Sequence, residues 1–218
     1  VAALSELGGT YRFTTRLCHT GEIRGGVLRG DLYIIGGFDP CFGRGDLKSF
    51  VDALAQAGVD SVAGRLCADV SMKDTLQWGW GWCWDDEMPV LTPLLYKEED
   101  VFMERMTEML SESGIGYASV GRSRCPADAV LLAERSRPVR DVLFPMMKES
   151  DNLYAEALFY RLAAHSGKPY ASRKEAWHYI ERLIGQMGYD PEKYLVADGS
   201  GVSLYNYLSP ELEVSFLR

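Results

Sequence analysis

Ser150, Asp151 and Asn152 are three consecutive side chains with three different chemical uses. A serine hydroxyl can relay a proton between a lysine and a leaving nitrogen. An aspartate at a helix start can cap the N–H groups left free there. An asparagine amide can grip the peptide group of a substrate. The tripeptide stands in Lys148-Glu149-Ser150-Asp151-Asn152-Leu153-Tyr154-Ala155-Glu156-Ala157-Leu158, where one helical pattern ends and another begins. Side chains on such a tight connection can project into a cleft. Taken alone, the tripeptide reads first as an ordinary helix cap.

A second segment with unusual chemistry is Trp78-Gly79-Trp80-Gly81-Trp82-Cys83-Trp84-Asp85-Asp86, which holds four of the five tryptophans. Paired carboxylates such as Asp85-Asp86 are commonly a solvated turn, but one of them can also meet a cation. Trp82 and Trp84 read as packing, with one of them able to line a pocket. The five cysteines (Cys18, Cys41, Cys67, Cys83 and Cys125) form no Cys-x-x-Cys pair. Their dispersed spacing suits apolar filler plus at most one or two bridges rather than a metal site. His19, His165 and His178 are isolated, and neither His-Glu-x-x-His nor Gly-x-Ser-x-Gly occurs. Gly199-Ser200-Gly201 is no nucleophile elbow, because the glycines stand at the wrong offsets. No metal or organic cofactor is therefore expected.

The elements that must position these groups follow from patterning. With 218 residues, 47% hydrophobic and 25% charged, the chain can bury one or two real cores. A net charge of -8 with no basic run argues against nucleic acid. No apolar stretch is long enough for a transmembrane helix. Strands are expected at 10–17, 31–35, 62–70, 117–120 and 129–133, with a turn at Gly25-Gly26. A helix capped near Asp46 carries Leu47, Phe50, Val51 and Leu54 on one face and stops at Gly58. Another carries Phe102, Met106, Met109 and Leu110 and stops at Gly114. Helices follow from Pro138 to about 147 and over 151–164. Ser172 and Glu175 predict a capping box for a helix with Ala176, Tyr179, Ile180, Leu183 and Ile184 on its buried face. The first half is mixed and the second half helical. Val1 to Gly9 reads as the end of a helix, and Ser209-Pro210 opens another that runs to Arg218. The chain is thus expected to be a fragment cut within helices at both ends.

The context of Ser150-Asp151-Asn152 resembles the second motif of the D-alanyl-D-alanine carboxypeptidase/endopeptidase family, the class C low-molecular-mass penicillin-binding proteins. Three more stretches resemble that family in the same order. They are Gly30-Asp31-Leu32-Tyr33-Ile34-Ile35-Gly36-Gly37-Phe38-Asp39-Pro40, then Gly81-Trp82-Cys83-Trp84-Asp85-Asp86, then Asp198-Gly199-Ser200-Gly201-Val202-Ser203-Leu204-Tyr205-Asn206 followed by Ser209-Pro210. The resemblance covers most of the chain.

It implies an α+β fold, with a penicillin-recognising serine transpeptidase/β-lactamase-like core and an inserted smaller α/β domain. Residues 1–14 and 88–218 would belong to the catalytic domain and 15–87 to the insertion. It implies a serine carboxypeptidase/endopeptidase that acts on peptidoglycan stem peptides through an acyl-enzyme and is trapped by β-lactams, in the periplasm or otherwise outside the cytoplasmic membrane. Ser150 and Asn152 would be its catalytic residues, and Asp85 and Trp82 would bind substrate. The family's Ser-x-x-Lys motif is expected upstream of Val1 and its Lys-Thr-Gly motif beyond Arg218, so residues 1–218 alone are expected to be inert. The Asp198–Gly201 turn is expected to be structural, tied down by Ser203 or Asn206. A class A-like β-lactamase also uses Ser-Asp-Asn, but its Glu-x-x-x-Asn is lacking, since Glu211 is followed by Ser215 at the fourth position. A non-catalytic cell-wall binding module on the same fold is the alternative from a different class.

Overall fold

A computed structural model describes all 218 residues. In chain order the elements begin with α1 (Ala2–Leu7), β1 (Arg12–His19), β2 (Glu22–Arg24), β3 (Val27–Arg29), β4 (Leu32–Ile35), α2 (Arg44–Gln56) and β5 (Ser61–Asp69). They continue with α3 (Phe102–Glu112), β6 (Gly116–Arg122), β7 (Val130–Pro138), α4 (Val139–Lys148), α5 (Asn152–Ala164), α6 (Arg173–Gln186), a 3-10 turn (Pro191–Lys193) and α7 (Pro210–Phe216). No helix is long and apolar enough to cross a membrane. The chain forms two units.

One unit comprises Arg12–Met72 and Thr92–Arg137 and holds the sheet. β5 is its centre. β6 runs parallel along one edge of β5, while β3 and β4 share the other edge, also parallel. β3 and β4 are one extended run broken at Gly30-Asp31, where Asp31 accepts the Arg65 N–H at 2.7 Å and its guanidinium at 2.9 Å. β1 pairs antiparallel with β4, and β7 lies outside β1.

One sheet face is covered by α2 and α3. The expected stripes are the ones buried: Leu47, Phe50, Val51 and Leu54 from α2, and Phe102, Met106, Met109 and Leu110 from α3. They meet Leu17, Ile34, Val62 and Leu66 of the sheet, and Phe42 bridges Phe50 and Phe102 at ring separations of 5.7 and 4.9 Å.

Two expectations need correcting in this unit, and the turn expected at Gly25-Gly26 is present, with two short strands added around it. The segment 22–29 is a hairpin whose Gly25 and Gly26 have φ of 58° and 79°, and its strands are too short to show a period. Asp46 is not the cap of α2. Gly43 is, and Asp46 stands at the third helical position, where it accepts the Gly43 N–H and pairs with Arg135 and Arg137 at 2.9 Å each. β7 runs on to Pro138, pairing beside β1, whose Arg12 and Arg16 bond Ser136 and Glu134 of β7.

The other unit comprises Val1–Tyr11, Lys73–Leu91 and Pro138–Arg218. The boundary therefore differs from the expected 15–87: the tryptophan segment joins the helices, and 92–137 joins the sheet. Composition cannot reveal this, because β6 and β7 become sheet strands only by pairing with β5 and β1. In the helical unit α5 is central, buried on nearly every side by α1, α4 and α6. Its continuous apolar composition is that of a helix with no solvent face. The capping box expected at α6 does not close, since the Ser172 hydroxyl donates to the Glu175 carboxylate rather than accepting a backbone N–H.

Candidate active site in the helical unit

The start of α5 has the geometry its sequence implies. The Asp151 carboxylate caps the helix, accepting the Leu153 and Tyr154 N–H groups at 2.9 and 3.3 Å. Ser150, just before it, is exposed and has a φ of 58°, a left-handed conformation that costs a non-glycine residue free energy. That backbone turn sets Ser150 outside the helix. Asn152, in the first helical turn, is half-buried and points its amide Nδ2 at the Met88 sulfur, 3.5 Å away. A thioether is a weak acceptor, so this amide retains most of its donor capacity.

Behind this start stands a buried polar network that joins the expected Asp198–Gly201 turn to Glu156, a residue the sequence reading had not singled out. Glu156, one turn into α5, is 1% exposed. Its Oε1 accepts the Gly199 N–H, the Ser200 N–H and the Ser200 hydroxyl at 2.9, 2.9 and 2.7 Å. Gly199 is needed for this approach, because a Cβ there would lie 2.5 Å from the Ala155 carbonyl oxygen. Asp198 then takes four donors of its own and shares the Ser200 hydroxyl with Glu156. Its Oδ2 accepts the Trp82 indole at 2.7 Å, the Ser203 N–H at 2.6 Å and the Ser200 hydroxyl at 3.3 Å. Its Oδ1 accepts the Gly201 N–H at 2.9 Å and the Asn206 amide at 2.7 Å. Ser203 also ties to the Trp80 carbonyl at 2.7 Å. Both tethers expected for this turn, Ser203 and Asn206, are thus present.

Trp82 is buried, with its indole N–H committed to Asp198. Its neighbour Trp84 is 93% exposed. Asp85 is exposed, while Asp86 is half-buried and accepts the Cys83 N–H at 2.5 Å. The Cys83 sulfur and one oxygen each of Asp85 and Asp86 lie within 4.8 Å of one another. Exposed acidic groups gather in this way without an ion, so the cluster assigns no metal; its concentrated negative charge suits an ammonium group. The Asn152–Met88 contact and the Trp82–Asp198–Ser200–Glu156 chain join the tryptophan segment to the start of α5.

Lys73 is a further buried polar group. Its ammonium meets Asp74 at 2.7 Å and the Leu76 carbonyl, and it lies 4.5 Å from the Tyr160 ring centroid. Burial lowers its pKa against the opposing pull of Asp74. The sequence signal for Glu156 was available: it is the one acid inside the apolar run of α5, and a helix buried on all sides must bury it.

Burial pushes the Glu156 carboxyl up from 4.5 to about 7, against the hydrogen bonds from Ser200 and Gly199 that favour its charged form. All three donors go to Oε1, which leaves Oε2 for the proton. Between pH 4.5 and 7 the folded chain therefore holds a proton that the unfolded chain has lost. The stability tied to this group is full below pH 4.5 and declines as pH rises to about 7, by on the order of 3 kcal/mol. Urea unfolding of the wild type at pH 5 and pH 8 is expected to carry this decline, and Glu156→Gln, neutral throughout, is expected to lack it. Equal pH slopes in the two proteins would sink the assignment.

A helical unit with Ser-Asp-Asn at a capped helix start and a sheet-bearing α/β unit make the chain an α+β protein. The profile of the D-Ala-D-Ala carboxypeptidase 3 (S13) family matches residues 1–95 and 91–218. The chain belongs to that family.

It is 34% identical over 94 residues to D-alanyl-D-alanine carboxypeptidase DacB of Haemophilus influenzae, an alignment covering 43% of this chain and 20% of that protein. The crystal structure of penicillin binding protein 4 (dacB) from Haemophilus influenzae matches 99% of this chain with a TM-score of 0.91 and 22% identity. A structure of the same protein complexed with a novel β-lactam matches with a TM-score of 0.79, also at 22% identity and 99% of this chain. The chain spans 66% and 65% of those two solved chains.

Proposed function

We propose that this chain supplies the Ser-Asp-Asn element and a substrate-binding carboxylate to a serine D-alanyl-D-alanine carboxypeptidase/endopeptidase. Its substrate would be the stem peptide of peptidoglycan, encountered outside the cytoplasmic membrane. The observation that carries the reading is the start of α5: Ser150 exposed in a left-handed turn, Asp151 spent on the cap, and Asn152 with amide hydrogens to give.

In the proposed reaction a serine of a Ser-x-x-Lys motif attacks the carbonyl of the penultimate D-Ala, with the lysine as base. A tetrahedral intermediate forms and collapses to an acyl-enzyme, and terminal D-Ala leaves as an amine. Ser150 takes a proton from the lysine side and hands one to that leaving nitrogen. Asn152 donates its amide N–H to the backbone of the stem peptide. Water then releases the acyl group. Neither Ser-x-x-Lys nor Lys-Thr-Gly occurs within residues 1–218, so the reading assigns the nucleophile to the whole protein rather than to these residues.

Asp85 is proposed to meet the free ammonium of the stem peptide's diamino acid, strengthened by the charge of Asp86 nearby. Trp82 acts there through Asp198, as a positioning residue for the segment rather than a stacking surface. β-Lactams, which carry the same reactive carbonyl, would be trapped as acyl adducts; the Haemophilus protein has been solved with one bound.

Labelling full-length protein with a fluorescent penicillin, followed by intact mass, tests this. A stoichiometric adduct on a Ser-x-x-Lys serine is the expected result. Folded protein that takes no label would overturn the catalytic reading in favour of a non-catalytic cell-wall module.

A further inference from the structure

Three of the five cysteines gather on the sheet face opposite α2 and α3. Cys18 of β1 stands across from Tyr33 of β4, and Tyr33 stands across from Cys67 of β5. This row is packed by Cys125 and Ala129, from the connection that leads into β7. The Cys125 thiol donates to the Pro126 carbonyl at 3.6 Å, and its side chain packs against the cluster that holds Cys18. Cys18 and Cys125 both line a cavity of about 380 Å³ that is also bordered by Arg16, Asp69, Ala129 and Glu134.

The connection carrying Cys125 is held in place from both sides. The Cys125 N–H donates to the buried Asp69 carboxylate at 2.7 Å. The Ser123 N–H donates to the Ala68 carbonyl at 3.2 Å, and the Ala129 N–H to the Pro126 carbonyl at 3.2 Å. Pro126 stiffens the residue before it. Cys125 is thus held by fixed backbone on the same sheet face and cavity wall as Cys18.

Geometry also excludes the other partner in the row. Cys18 and Cys67 are two strands apart, a Cα separation of about 9–10 Å at the usual strand spacing, and a disulfide spans less than about 7 Å.

We propose that Cys18 and Cys125 form a structural disulfide that staples β1 to the connection before β7. The oxidant is a small-molecule or protein disulfide of an oxidising compartment. The Cys125 thiol, half-exposed at the cavity, loses its proton to solvent and attacks one sulfur of the oxidant. The oxidant's S–S bond breaks, one thiol leaves, and a mixed disulfide remains on Cys125. The Cys18 thiol, deprotonated in turn, attacks the Cys125 sulfur and releases the oxidant's second thiol. Two thiols of the chain are oxidised, one disulfide is reduced to two thiols, and the protons balance.

The chemistry favours a permanent link over a redox switch. Burial raises the pKa of both thiols, that of Cys125 to about 11, and the neighbouring Cys18 raises Cys125 further. Thiols of high pKa are poor leaving groups, so the bond resists reduction once made. It would close a loop of about 100 residues, the range in which a crosslink restricts the unfolded chain most.

The test uses reduced full-length protein incubated with oxidised glutathione, then denatured and alkylated with a maleimide. Peptide mapping is expected to give a Cys18–Cys125 crosslinked pair, with Cys41, Cys67 and Cys83 alkylated. The thermal midpoint is expected to rise by on the order of 5–15 °C, reversibly with dithiothreitol. Cys125→Ser is expected to lose both the crosslink and the oxidant-dependent rise. Alkylation of both Cys18 and Cys125 after oxidation, a stable glutathione adduct on Cys125 alone, or Cys18 joined to another cysteine would each overturn the proposal. Penicillin labelling of the same samples reads the catalytic proposal separately.

Discussion

Ser150→Ala in the full-length protein is expected to slow acylation by penicillin by about 10²–10⁴-fold, the usual contribution of a positioned proton-transfer group. The side chain is exposed and outside the helix, so the thermal midpoint should hardly move. Ser150→Gly separates the hydroxyl from the backbone. Glycine accepts a φ of 58° without the side-chain clash, so this variant should gain about 1 kcal/mol of stability. It should lose the same activity as the alanine variant. Stopped-flow acylation together with urea unfolding reads both quantities. A hydroxyl-free variant that acylates within tenfold of the wild type would remove Ser150 from the reaction and leave it as a turn residue.

Asp198→Ala is expected to be the most destabilising single change in the helical unit, at about 4–5 kcal/mol. Four donors lose their acceptor at once, in a place that is 3% exposed, while the Ser200 hydroxyl keeps Glu156. Each buried unmade hydrogen bond costs about 1–3 kcal/mol, but the loop can relax and recover part of the sum. Trp82→Phe removes only one of those bonds and should cost about 1–2 kcal/mol. The two changes should be less than additive when combined, because the Trp82–Asp198 bond is lost in either. A loss below 1 kcal/mol for Asp198→Ala, measured by urea unfolding, would mean that water replaces the carboxylate and that the network holds nothing.

The two changes also part in their effect on function. Asp85 depends on the tryptophan segment, and that segment depends on Asp198 and Ser203 for its hold on the 198–206 loop. Loosening the segment should raise KM for a stem peptide carrying a free ammonium more than for one in which that group is blocked.

How far the sequence carried differs from place to place. The stripes of α2, α3 and α6 were legible because a helix that packs on one side repeats its apolar residues every three or four positions. The cap at Asp151 was legible because capping is local: the acceptor and its donors lie within three residues. The hairpin of β2 and β3 was not, since three-residue strands carry no measurable period. The partner of Asp46 was also hidden. Its arginines lie about ninety residues away, and β7 delivers them only after pairing beside β1.

The sequence by itself determined the family, through four ordered motifs, and the identity of the exposed groups at the start of α5. It also determined where helices stop, because glycines such as Gly58, Gly114 and Gly188, with φ of 72°, 72° and 86°, enter a left-handed conformation that other residues avoid. Only the tertiary structure decided which unit receives the tryptophan segment, which carboxylates are buried, and which cysteines meet. Those outcomes depend on contacts between residues far apart in the chain: Trp82 with Asp198, Glu156 with Ser200, Cys18 with Cys125. Local propensity acts over a few residues. Burial of a charge or a thiol is set by whatever the rest of the chain packs around it.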